Sequence, residues 1–326
     1  MDNSVIFPPR STLYALAPVG VGTAYVERIT SYVSRLARGH NISVGTLVLN
    51  VIQPNFQAEY LSNNLRTTDL LKKASCSING TESWAREMVR ILSDLTLVKG
   101  LEYLTMLPWA DIFPVRGLLK RTHAWCPLCY EDWMQQKQVI YDPLVWAIEL
   151  VKVCRIHEKP LREECPECRR TQPVLSRYSV PGYCVYCHHW LGEGGTKGRG
   201  DGVEGGSEKD LWISDEVGKL LEAAHNPDWD FTLDIFRGNL QELIDLVSGG
   251  CNAEFANCVQ RHPYTVKSWI DGTQEPTLGA MLELASATSI SLVDLLTKQG
   301  AVRRNTAFSP PVAYGKKKES VIMTEK

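Results

Sequence analysis

The chain has 326 residues, of which 44% are hydrophobic, and its formal net charge is −2. This apolar content is enough for two or three compact globular domains. No window offers the roughly 18 uninterrupted apolar residues of a membrane helix, and the start MDNSVIFPPR lacks a signal-like basic and apolar region, so we expect a cytoplasmic protein that does not enter a membrane.

The first predicted element is a helix-turn-helix-like unit. Apolar residues recur at steps of three and four over residues 25–37, Gly39 ends this pattern, and a second apolar run follows at residues 44–51. Packing within the protein explains the apolar pattern of this helix pair better than recognition of DNA does. Together with a helical pattern at residues 83–97, it predicts an all-helical N-terminal domain over residues 1–119.

Pairs of metal-ligating residues separated by two positions occupy the next predicted domain, residues 120–191. The first set is Cys126, Cys129, Cys154 and His157, and the second set is Cys165, Cys168, Cys184 and Cys187. The two-residue spacing lets two ligands from one tight turn reach the same ion, and four such ligands suit tetrahedral zinc. The spacing therefore predicts two structural zinc ions. Because both ligand shells are complete, no position is left for the water of a catalytic zinc.

Two points about these sites stay open at the level of sequence. Sequential pairing of the four ligand pairs is the simpler prediction, but a cross-braced arrangement would join pairs one and three, and pairs two and four. His123, His188 and His189 lie beside ligands in the sequence, and we expect them to occupy surface or outer positions instead of replacing a ligand.

The composition changes after the zinc region. Residues 192–210 contain eight glycines and predict a flexible linker. Residues 211–300 return to a helical pattern, with five short helices predicted from residue 236 onward. The tail, residues 301–326, is predicted to be disordered. The expected fold is thus mostly α, with two helical domains that flank a tandem zinc-knuckle region.

The stretch TVKSWIDGTQEPTLGAMLELASATSISLVDLL resembles the helix-turn-helix family of phage repressors, which implies a recognition helix at residues 265–270. A DNA-reading domain is expected to carry clustered Lys and Arg. Residues 236–298 instead carry 4 Lys and Arg against 7 Asp and Glu. We therefore expect a protein-binding or scaffold role. The candidate contacts to DNA or to a protein partner are Arg261, His262, Thr265 and Lys267.

Three stretches together resemble the TniQ/TnsD family: PPRSTLYALAPVGVGTAYVERITSYVSRLARGHNISVGTL, WCPLCYEDW, and the closing TVKSWIDG, PTL and ISLVDLL. Members of this family are target-selection subunits of bacterial transposons. The resemblance implies a non-catalytic adaptor that links a target-recognising module to the AAA+ ATPase that recruits transposase. Short members serve CRISPR-associated transposons by binding a Cascade-type effector, in which guide RNA reads the target DNA. A homodimer is left open.

Two other functions compete with this interpretation. The first is a direct sequence-specific DNA-binding protein, which would be an attachment-site targeting protein or a transcription regulator, and the acidic C-terminal region counts against it. The second is an enzyme such as a nuclease. No acidic triad or pair of nucleophile and base stands out in the sequence, so we expect no catalytic activity.

Overall fold

The computed structural model describes residues 10–57, 71, 75–193, 205–226 and 231–297. The chain divides into two compact units, residues 1–230 and residues 231–326. Secondary structure in the described residues is mostly helical, with one short two-stranded sheet, which confirms the predicted mostly α class. None of the described helices combines the length and the hydrophobicity needed to cross a lipid bilayer.

The N-terminal helices of unit 1 lie where the apolar periodicity predicts them. Helix α1 spans Ile29–Gly39, α2 spans Val44–Leu47 and continues into a π-helical turn, and α3 spans Ser83–Thr96. Asn41 takes the left-handed conformation, with φ 56°, and turns the chain between α1 and α2. The apolar stripe of α1 is fully buried, so packing accounts for its pattern.

The zinc region adds helix α4, Pro127–Gln135, and a short antiparallel hairpin. In that hairpin β1, Val153–Cys154, pairs with β2, Lys159–Pro160. Pro127 stands at the first helical position of α4, where a backbone N–H would have no partner in the helix. These elements are short and supply few backbone hydrogen bonds. The conformation of the surrounding residues therefore depends on interactions outside the helix and the hairpin.

The expected boundary between residues 1–119 and residues 120–191 is not a boundary between compact units. The Arg28 backbone N–H donates to the Asp142 carbonyl oxygen at 2.9 Å, and that of Leu144 donates to the Val26 carbonyl oxygen at 2.7 Å. The segment before α1 is thus hydrogen-bonded to the middle of the zinc region. Buried backbone hydrogen bonds thus join the two segments, and both segments belong to unit 1.

A further difference concerns the start of the C-terminal domain, which was predicted at residue 211. Helix α5, Glu208–Ala223, belongs to unit 1 and begins within the predicted linker, with Ser207 as its N-cap. Val217 and Leu220 on this helix are fully buried. Their burial in unit 1 is the physical reason for the shifted boundary. Residues 194–204 of the linker, and the tail from residue 298, lie outside the described residues.

Residues 231–297, the described part of unit 2, contain the five helices that the sequence predicts. They are α6 (Leu233–Ser248), α7 (Asn252–Cys258), α8 (Pro263–Ile270), α9 (Leu278–Thr288) and α10 (Leu292–Thr297). Thr277 caps α9, and Trp269 is buried in the core. The interpretation of α7 and α8 as a DNA-reading pair stays a prediction.

Replacing Gly238 by alanine is expected to stabilise unit 2. Gly238 lies at an exposed position inside α6, and a Cβ added there meets no atom within 4 Å. Alanine is favoured over glycine in a helix interior by about 1 kcal/mol. The free energy of unfolding, measured with urea and followed by hydrogen exchange of the α6 amides, is therefore expected to rise by about 1 kcal/mol.

Gly249 provides the matched comparison for this substitution. It ends the same helix with φ 56°, and a Cβ added there also meets open space. Alanine in this left-handed conformation costs about 1 kcal/mol, so Gly249→Ala is expected to destabilise the same unit. Equal effects of the two substitutions would contradict the helix assignment.

Candidate metal centres

The first ligand set gathers between helix α4 and the β1–β2 hairpin. Cys126 directly precedes α4, and Cys129 lies in its first turn. Cys154 ends β1, and His157 lies in the turn that leads to β2. Pairs one and two of the sequence therefore meet, as the sequential prediction states, and the cross-braced alternative is wrong.

The distances in this set fit one tetrahedral ion. The sulfurs of Cys129 and Cys154 are 3.5 Å apart. His157 Nδ1 lies 3.5, 3.3 and 3.7 Å from the sulfurs of Cys126, Cys129 and Cys154. Zinc bonds of about 2.3 Å to sulfur and about 2.0 Å to nitrogen give tetrahedral edges of about 3.8 Å between sulfurs and about 3.5 Å between sulfur and nitrogen.

An acidic residue orients the histidine of this set. His157 Nε2 donates a hydrogen bond to Asp132 Oδ2 at 2.9 Å. This bond leaves the lone pair of Nδ1 directed toward the three sulfurs. A carboxylate on the outer nitrogen is the usual partner of a metal-binding histidine, since it holds the ring and raises its basicity.

Replacing Asp132 by alanine is expected to weaken metal binding at the first set. Loss of such an outer hydrogen bond lowers metal affinity by roughly 10- to 100-fold, and a chelator competition assay measures this change. Asp111→Ala is the control, because Asp111 is exposed and lies outside both ligand sets. An unchanged affinity in the Asp132 variant would contradict the role of the hydrogen bond.

The second ligand set also assembles sequentially, from pairs three and four. Cys165 Sγ lies 3.7 Å from Cys187 Sγ, and Cys168 Sγ lies 3.6 Å from Cys184 Sγ. All four sulfurs lie within 4.8 Å of one another. These distances are close to the edge of about 3.8 Å expected for four thiolates around zinc. Both sets thus present four convergent donor atoms suited to a metal ion.

A turn that the sequence did not reveal shapes three of the four ligand pairs. Glu158, Arg169 and His188 each follow the second ligand of a pair and have left-handed backbone conformations, with φ of 54°, 59° and 58°. Each donates its N–H to the carbonyl oxygen of the first ligand in its pair, at 2.7, 2.9 and 3.0 Å. Glycine at these positions would have predicted the turns, but none of the three is glycine.

The electrostatics of the second set call for a cation. Burial raises the pKa of the Cys184 thiol, but N–H groups of Cys187 and Tyr186 and neighbouring thiols lower it to about 7. Burial raises the pKa of Cys165 to about 12. The pKa values of two thiols in one set are thus shifted in opposite directions. A divalent cation would hold all four as thiolates.

The three neighbouring histidines do not join the ligand sets, as expected. His123 is buried, and its Nε2 lies 3.2 Å from Asp142 Oδ1. His188 and His189 are exposed, and neither is a member of the second set. The sequence therefore separated ligands from neighbouring histidines correctly.

A buried polar cluster close to the first ligand set was not predicted from the sequence. Asp142 accepts a hydrogen bond from Arg28 Nη2 at 3.0 Å and one from the Tyr130 hydroxyl, and the Asp142 backbone N–H donates to Ser31 Oγ at 3.0 Å. Arg28 and Asp142 are almost fully buried. The cluster ties α1 to α4. No local pattern signals it, because its members are far apart in the sequence.

The candidate contact residues of unit 2 have different environments. Arg261 forms an ion pair with Glu283. The His262 side chain caps the first turn of α8, Thr265 is half-buried, and Lys267 is exposed. Of these four candidates, Lys267 is the one that presents an exposed cation without an ion pair in the described residues.

The model of the TniQ family matches residues 18–161. This chain carries a TniQ domain. The domain contains α1, α4, the β1–β2 hairpin and the whole first ligand set, while the second ligand set lies beyond the matched residues. A comparison with curated proteins finds no match. The TniQ domain implies a transposition-associated role, as an adaptor or a DNA-binding protein, in a family that is generally non-catalytic.

Proposed function

We propose that this protein is a non-catalytic adaptor for transposition target selection. It binds a Cascade-type CRISPR effector loaded with guide RNA and links it to the AAA+ ATPase that recruits transposase. The TniQ domain over residues 18–161 is the observation that carries the proposal. Target DNA is then read by the guide RNA and reaches this protein indirectly.

The metal centres support a structural role within such an adaptor. Each set offers four protein ligands, so a bound ion has no vacant position for substrate or water. Thiolate-rich tetrahedral donor sets are typical of structural zinc, and we assign zinc to both. The ions would stabilise a region whose regular elements are one α-helix, one short 3-10 helix and a hairpin of two-residue strands.

The charges of residues 231–297 favour a protein partner over DNA. Residues 231–297 contain three basic residues, Arg237, Arg261 and Lys267, against eight acidic ones. Arg237 pairs with Asp234, and Arg261 pairs with Glu283. A surface with so few available cations neutralises few phosphates, and phosphate contacts supply much of the affinity for DNA.

Co-purification tests the proposal. The full chain is expected to form a stable complex with the RNA-loaded effector and with the AAA+ ATPase encoded beside it, and to show no preference among short duplexes. The mass of that complex also gives the number of adaptor chains, which decides whether the protein acts as a homodimer. Tight binding to one duplex without effector association would overturn the adaptor proposal.

The alternative is direct DNA binding through α7 and α8, because Lys267 is exposed on α8. Lys267→Gln separates the two functions. In a DNA reader, this change weakens binding to all duplexes and reduces the salt dependence of the affinity by about one phosphate contact. An adaptor that does not itself bind duplexes is expected to show no effect of Lys267→Gln in the same assay.

A further inference from the structure

Helix α5 is attached to the hairpin that supplies two ligands of the first set. The Ser214 hydroxyl on α5 donates to the Val153 carbonyl oxygen at 2.9 Å. The Gly206 N–H, just before the helix, donates to the Glu158 carbonyl oxygen at 3.0 Å. Val153 and Glu158 are the immediate sequence neighbours of the ligands Cys154 and His157. Both hydrogen bonds therefore hold backbone next to a metal ligand.

The same helix also packs on the segment that precedes α1. A Cβ added at Gly218 would lie 3.0 Å from the Cβ of Ala24, so the two backbones approach closely there. Helix α5 thus contacts unit 1 at two places, the hairpin that carries Cys154 and His157 and the segment before α1.

The buried position of α5 makes this attachment a stable part of unit 1. Val217, Leu220 and Leu221 on α5 are each at most 2% exposed. An ion pair between Arg155 and Asp215, at 3.7 Å, adds a surface contact between hairpin and helix. Burial of three aliphatic side chains contributes several kcal/mol, which far exceeds the contribution of the surface pair.

We propose that α5 is a positioning element of the first metal site, with Ser214 as its positioning residue. Docked α5 fixes the hairpin backbone next to Cys154 and His157 in the geometry that binds the ion. Groups that orient metal ligands raise metal affinity, and linkage requires the bound ion to stabilise α5 docking by the same factor. The proposal rests on the metal assignment and is independent of the effector and the ATPase.

Metal titration of the full chain tests the proposal at both sites in one molecule. Cobalt is a suitable probe, because a site with three sulfurs and one nitrogen and a site with four sulfurs absorb differently. Ser214→Ala is expected to weaken cobalt and zinc binding at the first set by about tenfold and to leave the second set unchanged. The second set is thus an internal control for general destabilisation.

One variant controls for the substitution itself. Ser34→Ala removes a buried helical hydroxyl whose bond is to Thr30 in its own helix. It is expected to retain wild-type affinity at both sets. The proposal is overturned if Ser214→Ala leaves the first set unchanged, or if it weakens both sets equally.

Hydrogen exchange tests the reciprocal effect. Removal of the ion from the first set by His157→Ala is expected to accelerate exchange of the α5 amides, while Cys168→Ser, which disables the second set, leaves them protected. Far-UV circular dichroism shows whether each variant retains its helices. Equal exchange of α5 in the two variants would contradict the linkage, whatever partners the protein binds.

Discussion

Replacing Cys129 by serine is expected to lower the zinc content of the purified protein from two ions per chain to one. Cys129 is buried and lies 3.3 Å from His157 Nδ1 and 3.5 Å from Cys154 Sγ, so its thiolate completes the first set. Structural zinc binds with a free energy of about 10–16 kcal/mol, and folding of the region depends on this contribution. Elemental analysis measures the ion content, and urea unfolding measures the loss of stability.

The expected loss of structure is local to unit 1 and is visible to tryptophan fluorescence. Trp133 and Trp146 stack with their rings 5.9 Å apart, and Trp133 lies on α4, the helix that begins at the first set. Release of the ion is expected to disrupt this stack. A chelator added to the wild-type protein should reproduce the fluorescence change of the Cys129→Ser variant.

Cys251→Ser is the matched control, because Cys251 is exposed and belongs to neither ligand set. It is expected to retain two zinc ions and wild-type stability. A wild-type ratio near zero, or two ions retained by the Cys129 variant, would disprove the metal assignment.

Replacing Asp142 by asparagine is expected to lower the free energy of unfolding of unit 1 by about 3 kcal/mol, because removal of one partner leaves a buried charge without its counter-ion. That charge is the guanidinium of Arg28, which is 1% exposed and has no hydrogen-bond partner for its Nε and Nη1 atoms in the described residues. Urea unfolding measures the change. Asp94→Asn is the control, since Asp94 is 67% exposed and forms a surface ion pair.

The stabilisation by Asp142 depends on pH in a direction set by its environment. Burial raises the pKa of this carboxyl, but Arg28, His123 and Tyr130 outweigh burial and hold the pKa well below its ordinary value. A group with a lowered folded pKa contributes stability above its unfolded pKa of about 3.9 and loses it as pH falls through the folded value. The difference in stability between the wild type and Asp142→Asn is therefore expected to shrink below about pH 4. A difference that is constant with pH would contradict an ionised Asp142.

The sequence by itself determined the features that depend on local spacing. The four ligand pairs follow from the spacing of two residues within each pair, since one turn brings such residues together wherever the rest of the chain lies. The five helices in residues 233–297 follow in the same way from apolar periodicity. The likeness to the TniQ family was also carried by short stretches of sequence, and the match over residues 18–161 confirms it for the N-terminal stretch and for WCPLCYEDW.

Only the tertiary structure decided which distant segments meet. It joined Arg28 to Asp142, placed α5 on the hairpin of the first ligand set, and selected sequential pairing of the ligands. Each of these depends on contacts between segments far apart in the chain, for which residue spacing carries no signal. A buried charge is stable only where a distant partner compensates it, and an amphipathic helix docks on whichever apolar surface the folded chain offers.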